Sequence, residues 1–161
     1  MSFRPIAAAA LLAFICIDAH ALKVGDAAPE FERVDIDGKQ VQLSKLRGRW
    51  VLLNFWATWC APCREEMPAF SQWAQAFKSH GLSVVGVSMD DDVTDVKAFL
   101  DKYPVSYPIV MGDAKFADQF GGVLGLPLTY LIDPQGRTVE RYQGEVDLKQ
   151  LEAMIVTRIK K

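Results

Sequence analysis

Two cysteines separated by two residues, Cys60-Ala61-Pro62-Cys63, are the side chains whose type and spacing could do chemistry here. They follow an apolar run, Val51-Leu52-Leu53-Asn54-Phe55-Trp56, and lead at once into a helical pattern at Arg64-Glu65-Glu66. A strand that feeds a helix this abruptly puts Cys60 at or just before a helix N-terminus. Backbone N–H groups there lack partners, and the helix dipole favours negative charge. A thiolate, the reactive form of cysteine, is such a charge. Cys63 lies about one turn further on, so the two sulfurs can meet and close a small ring. Pro62 falls in the first turn, where its missing N–H removes no bond.

Half of a zinc site also reads Cys-x-x-Cys, but it needs two more ligands. The only other candidates of that kind are Cys16, His20 and His80. His80 falls far down the helix, where C-terminal capping is its expected role, and the other two lie in the N-terminal segment. A structural disulfide across two residues would restrain the unfolded chain little. A redox-active dithiol is the preferred reading, with no metal, and with no cofactor beyond the Cys60–Cys63 pair itself. No Gly-rich phosphate loop is present.

The elements that must position this pair can be read from pattern. Phe31–Ile36 and Lys39–Leu43 alternate around the turn pair Asp37-Gly38, which predicts a β-hairpin. Ser44–Gly48 reads as a short helical turn. Trp50–Trp56 is the expected central buried strand. The helix after the cysteines runs to about Ser79, with Met67, Phe70, Trp73, Ala74 and Phe77 on its core face and Pro68 inside it. Leu82–Met89 is a second buried strand. Asp90-Asp91-Asp92 before the next helix suits its N-cap and dipole better than a metal site. Tyr107–Met111, Leu126–Asp133 and Arg137–Gln143 are further strands, Asp113–Phe120 is a short helix, and Asp147 caps the last helix. Strands alternating with helices imply an α/β sheet flanked by helices.

At 161 residues, half of them hydrophobic, the chain fits one domain with a real core. A net charge of −2 gives no basic surplus and argues against nucleic acid as a partner. The first residues read as a cleaved export signal spanning 1–21: Arg4, the uncharged run Ile6–Ile17, then Ala19-His20-Ala21. The apolar run is shorter than the ~20 residues that span a bilayer. The domain expected is 22–161, keeping two cysteines, both in the Cys-x-x-Cys, in an exported protein that is periplasmic if bacterial and membrane-tethered if the N-terminal segment is not cleaved.

Asn54-Phe55-Trp56-Ala57-Thr58-Trp59-Cys60, Arg64-Glu65-Glu66-Met67-Pro68 and Gly125-Leu126-Pro127, with the hairpin and the extra αβ segment from about Asp92 to Phe120, resemble one branch of the thioredoxin superfamily. That branch is the exported TlpA/ResA-like thiol–disulfide oxidoreductases. The resemblance covers roughly 24–160 and implies a thioredoxin-like fold, a central mixed sheet flanked by helices with an N-terminal β-hairpin and a central αβ insertion. It implies that Cys60 is the attacking thiol, exposed at the helix tip, and Cys63 the buried resolving thiol. Pro127 is expected to be cis, with Leu126 presenting backbone to an extended substrate chain. Asn54 stands where classical thioredoxin has a buried Asp and cannot take a proton. Glu66, one turn beyond Cys63, is the expected proton acceptor, as a glutamate in this place is implicated in tuning the thiols of the branch. Trp59 is expected to shield Cys60 and to give a partner an apolar rim, with Trp56 packed beneath, and Pro62 is expected to join Trp59, Leu126 and Pro127 in binding the substrate. The partners implied are client proteins with disulfides or thiols, for example in cytochrome c maturation, and a membrane electron-donor protein; a monomer is expected.

Two other functions fit parts of the pattern. The central segment also resembles peroxiredoxin-like peroxide reductases, but Leu53 and Ala57 stand where those proteins place Pro and Thr. A non-catalytic module that holds unfolded clients on the Trp59/Pro127 surface is the other. Reductase, oxidase and isomerase share this architecture and differ in thiol pKa and potential.

Overall fold

The computed structural model describes residues 22–160, so the export-signal expectation, with Cys16 and His20, lies outside the described residues. A hairpin of β1 (Glu32–Val34) and β2 (Gln40–Gln42) comes first, then β3 (Trp50–Trp56), α1 (Ala61–Ala76) and β4 (Leu82–Ser88). After these come α2 (Val93–Lys102), β5 (Ile109–Met111), α3 (Ala114–Gln119), β6 (Leu128–Ile132), β7 (Thr138–Gln143) and α4 (Leu148–Ile159). The hairpin turn forms because Asp35 Oδ1 accepts from the N–H groups of Asp37 and Lys39, at 3.0 and 2.8 Å, while Gly38 takes a positive φ.

The main sheet has five strands in the order β5-β4-β3-β6-β7. β4 runs parallel to β3 and β5, and β6 runs antiparallel to β3 and β7. This is the expected mixed sheet, with the αβ segment between β4 and β6 supplying its edge strand β5. β3 lies at the centre, and strand periodicity divides its side chains between two cores. Leu52 and Trp56 join Met67, Phe70 and Trp73 of α1, Val96 of α2 and Leu151 and Ile155 of α4. Val51, Leu53 and Phe55 face Phe31, Leu43, Phe116 and Phe120 on the other side. The helix over the first core carries the dithiol, so burial of Met67, Phe70 and Trp73 fixes where its N-terminus points.

α1 ends earlier than its apolar pattern suggests, at Ala76, and a 3-10 turn over Lys78–His80 closes on Gly81 with φ 93°. His80 does not cap through its ring. The His80 Nδ1 pairs with Ser79 Oγ at 3.3 Å, and the backbone N–H of Gly81 takes the Lys78 carbonyl instead. Pro68 sits within α1, which continues past it.

Candidate active site

Cys60 is the N-cap residue of α1, with extended backbone, and Pro62 lies in the first turn. Cys60 and Cys63 are joined by a disulfide with their Cα atoms 5.3 Å apart. The Cys63 backbone N–H points at Cys60 Sγ, 3.3 Å away. An orphan donor of the helix start is thus aimed at the sulfur, and it would stabilise a thiolate there. In this oxidised form Cys60 is only 5% exposed and Cys63 fully buried. The exposed attacking thiol expected from the resemblance is therefore covered while the ring is closed. Trp59, immediately before it, is 69% exposed. Trp56 is fully buried below and packs on Phe99 with ring centroids 5.6 Å apart.

Glu66 lies one turn beyond Cys63 on the buried face of α1. Its Oε1 accepts the Val146 backbone N–H at 2.9 Å, while Oε2 has no partner among the described residues. Burial raises the Glu66 carboxyl from 4.5 to about 7, against the lowering effect of the Val146 bond, and Glu145 adds to the rise. Burial, with Glu66 nearby, likewise pushes the Tyr107 hydroxyl up. A carboxyl that titrates near neutrality can both take and return a proton under working conditions.

The Leu126–Pro127 bond is cis, as expected. The Pro127 carbonyl accepts the Gly144 N–H at 2.8 Å, just ahead of the Val146 that binds Glu66. Gln143 Nε2 holds the Gly125 carbonyl at 2.7 Å. The proline loop, the β7–α4 connection and the first turns of α1 are thus tied together. Neither the N–H nor the carbonyl of Leu126 is hydrogen-bonded among the described residues. Asn54 is buried in β3 and donates through Nδ2 to Thr129 Oγ1 of β6 at 2.9 Å, which makes it a cross-strand tie.

The AhpC/TSA family model matches residues 24–141. The thiol–disulfide oxidoreductase ResA of Bacillus thuringiensis (strain Al Hakam) is 34% identical over 138 residues, which cover 86% of this chain and 80% of that one. The chain belongs to the AhpC/TSA family, among its ResA-like thiol–disulfide oxidoreductases. Two solved structures agree with this placement. A candidate thiol:disulfide interchange protein DsbE from Chlorobium tepidum matches with a TM-score of 0.81 at 32% identity, over 86% of this chain and 99% of that one. A thiol:disulfide interchange protein of the thioredoxin family from Chlorobium tepidum TLS matches with a TM-score of 0.77 at 28% identity, again over 86% and 99%. The fold of this ResA-like oxidoreductase is thioredoxin-like.

One group that holds the dithiol loop escaped the sequence reading. Of the three consecutive aspartates only Asp92 caps α2, accepting from the Thr94 N–H at 2.7 Å. Asp90 instead turns inward and is 8% exposed. Its carboxylate accepts from the Thr58 N–H at 3.0 Å, from Thr58 Oγ1 at 2.6 Å and from Ser88 Oγ at 2.7 Å. Asp90 therefore anchors the loop two residues before Cys60 to the end of β4. The signal in the sequence is a Ser-x-Asp pair at a strand end, which lets the Ser88 hydroxyl and Asp90 carboxylate meet locally. Nothing in the sequence marks Thr58 as their third member. Among the described residues, no three His, Cys, Asp or Glu side chains gather to hold a metal ion.

Proposed function

We propose that this ResA-like oxidoreductase reduces disulfides of protein partners in an exported compartment, with Cys60 and Cys63 as the working thiols. The Cys60 thiolate attacks one sulfur of the partner disulfide. A Cys60–partner bond forms, the partner bond breaks, and the first partner thiolate leaves. Cys63 passes its proton to Glu66 and attacks Cys60 Sγ. The Cys60–Cys63 bond forms, the second partner thiolate leaves and takes up a proton, and the pair has given two electrons to the partner. Leu126, through its unpaired backbone groups, and Pro127 receive the extended partner chain beside Cys60. Trp59 supplies an apolar rim, and Pro62 keeps the first turn of α1 in shape.

The observation that carries this reading is the Cys60–Cys63 disulfide at the N-terminus of α1 with buried Glu66 one turn behind it. Once oxidised, the pair must be recharged, which in an oxidising compartment calls for a membrane electron-donor protein. The resemblance to TlpA/ResA-like proteins suggests client cysteines of cytochrome c maturation; the pattern of residues 1–21 suggests an export signal that is cleaved or, if uncleaved, a membrane tether, and the protein works as a monomer.

The deciding experiment is the reduction potential of Cys60–Cys63, by thiol trapping across a dithiothreitol or glutathione series. A value at or below roughly −230 mV supports a reductase, and one near roughly −120 mV overturns it in favour of a disulfide donor.

A further inference from the structure

Next to the dithiol, where Arg64 follows Cys63, α1 and the C-terminal end of α2 leave an open groove of about 560 Å³. Its walls include Met67 and Pro68 of α1 and Phe99 and Tyr103 of α2 and its C-terminal end. Three rings run from the strand before the cysteines to this surface. Trp56 packs on Phe99 at 5.6 Å, and Phe99 packs on Tyr103 at 4.9 Å. Tyr103 is 62% exposed, so the outermost ring of this stack is open to a partner. Pro104 and Val105 complete the lining, and the next residue, Ser106, is tied to α1: Ser71 Oγ accepts the Ser106 N–H at 2.9 Å, and the Ser71 carbonyl accepts the Ser106 hydroxyl at 2.6 Å.

The groove carries charge of one sign. Arg64, directly after Cys63, and Lys102 both line it, and no acidic side chain does. Both cations are exposed, and neither takes part in a salt bridge among the described residues. An apolar trough flanked by two free cations is complementary to an apolar segment that bears carboxylates. We infer that this groove docks an apolar segment bearing carboxylates from the protein whose cysteines exchange with Cys60, held by Tyr103, Phe99 and Pro68 and oriented by Arg64 and Lys102. The inference deepens the exchange reading by naming the chemistry of the partner, and rests on it for the partner's identity. The complementary charge speaks against the chain's own N-terminal run, which is uncharged and follows Arg4.

The test uses a labelled, cysteine-free peptide built of Leu, Phe and Glu, and its twin with Lys in place of Glu, added to the oxidised protein. Fluorescence anisotropy should show the Glu peptide binding and the Lys peptide binding far less. Lys102→Glu should weaken the Glu peptide about fivefold, the size expected of exposed ion pairing, and strengthen the Lys peptide. Lys102→Gln should fall between. Equal binding of the two peptides, indifference to Lys102→Glu, or a dimer in sedimentation that Lys102→Glu dissolves would each overturn the inference. A second arm places each peptide on a disulfide. Glu-peptide disulfides should be reduced with a lower KM than Lys-peptide disulfides and a similar kcat. Failure to reduce any disulfide while the Glu peptide still binds would remove the exchange reading and leave the groove standing.

Discussion

Glu66 and Val146 meet through a 2.9 Å hydrogen bond from the Val146 backbone N–H to the Glu66 carboxylate, joining the dithiol helix to the loop that also pairs with Pro127. One bond therefore positions the proposed proton acceptor and braces the substrate side of the site. Glu66→Gln keeps an oxygen for Val146 but removes the base. It should leave the circular dichroism spectrum unchanged and slow disulfide exchange near neutral pH by about tenfold or more, read by stopped-flow with a model disulfide. Unaltered kinetics would dismiss Glu66 from the mechanism.

The same carboxyl sets a pH dependence of stability. Its folded value is raised from 4.5 to about 7, so the native state binds this proton more tightly than the unfolded state does. Stability is then highest with the carboxyl protonated, and falls as pH rises from about 4.5 to about 7, by of order 2 kcal/mol. Urea titrations of the oxidised protein should show this decline, and Glu66→Gln should flatten it.

Asp90 offers a different test. Asp90→Ala leaves the Thr58 N–H and the Thr58 and Ser88 hydroxyls without their buried acceptor. The expected loss is about 2–4 kcal/mol, with slower exchange because the loop before Cys60 is released. Asp90→Asn, which retains an acceptor oxygen, should recover part of both. Denaturant midpoints and exchange rates measured on the two variants check this.

Gly86 shows how tightly the core beneath α1 is filled. A Cβ there would sit 2.5 Å from Ile109 Cδ1 and 3.1 Å from both Trp56 Nε1 and the Tyr107 ring. Gly86→Ala should lower stability by about 1–3 kcal/mol through overpacking, visible as a lower thermal midpoint.

Much of this architecture was legible because local rules and burial agree. The run Trp50–Trp56 is apolar on both faces because both faces of β3 are covered, and the strand has the bounds its pattern suggests. Asp147 caps its helix as its position implies, while Asp113, read as the first residue of its helix, is in fact the residue that caps it. Cys60, Cys63 and Glu66 could be placed because helical spacing fixes them relative to one another. What pattern could not show depends on contacts distant in sequence. The three aspartates look alike in a row, yet Asp90 is drawn inward by Thr58, 32 residues earlier. Glu66 finds its partner 80 residues away in Val146, a backbone group that no side-chain pattern reports. The Arg64–Lys102 groove likewise exists only once α1 and α2 are packed side by side.

The segment before β1 and the hairpin that follows have a consequence for how this protein meets others of its kind. Gly25 and Ala28 donate to Thr138 and Gly136 at the start of β7, and Ile36 donates to Ile109 of β5. One short stretch of chain thus straps part of each outer strand of the five-stranded sheet, with Phe31 clasped between Phe116 and Phe120 on the way. Bare sheet edges are templates for intermolecular strand addition. The strap occupies part of each edge that a second chain would otherwise pair with, and trimming the chain back past Ile36 should leave both edges open and raise self-association, read by light scattering.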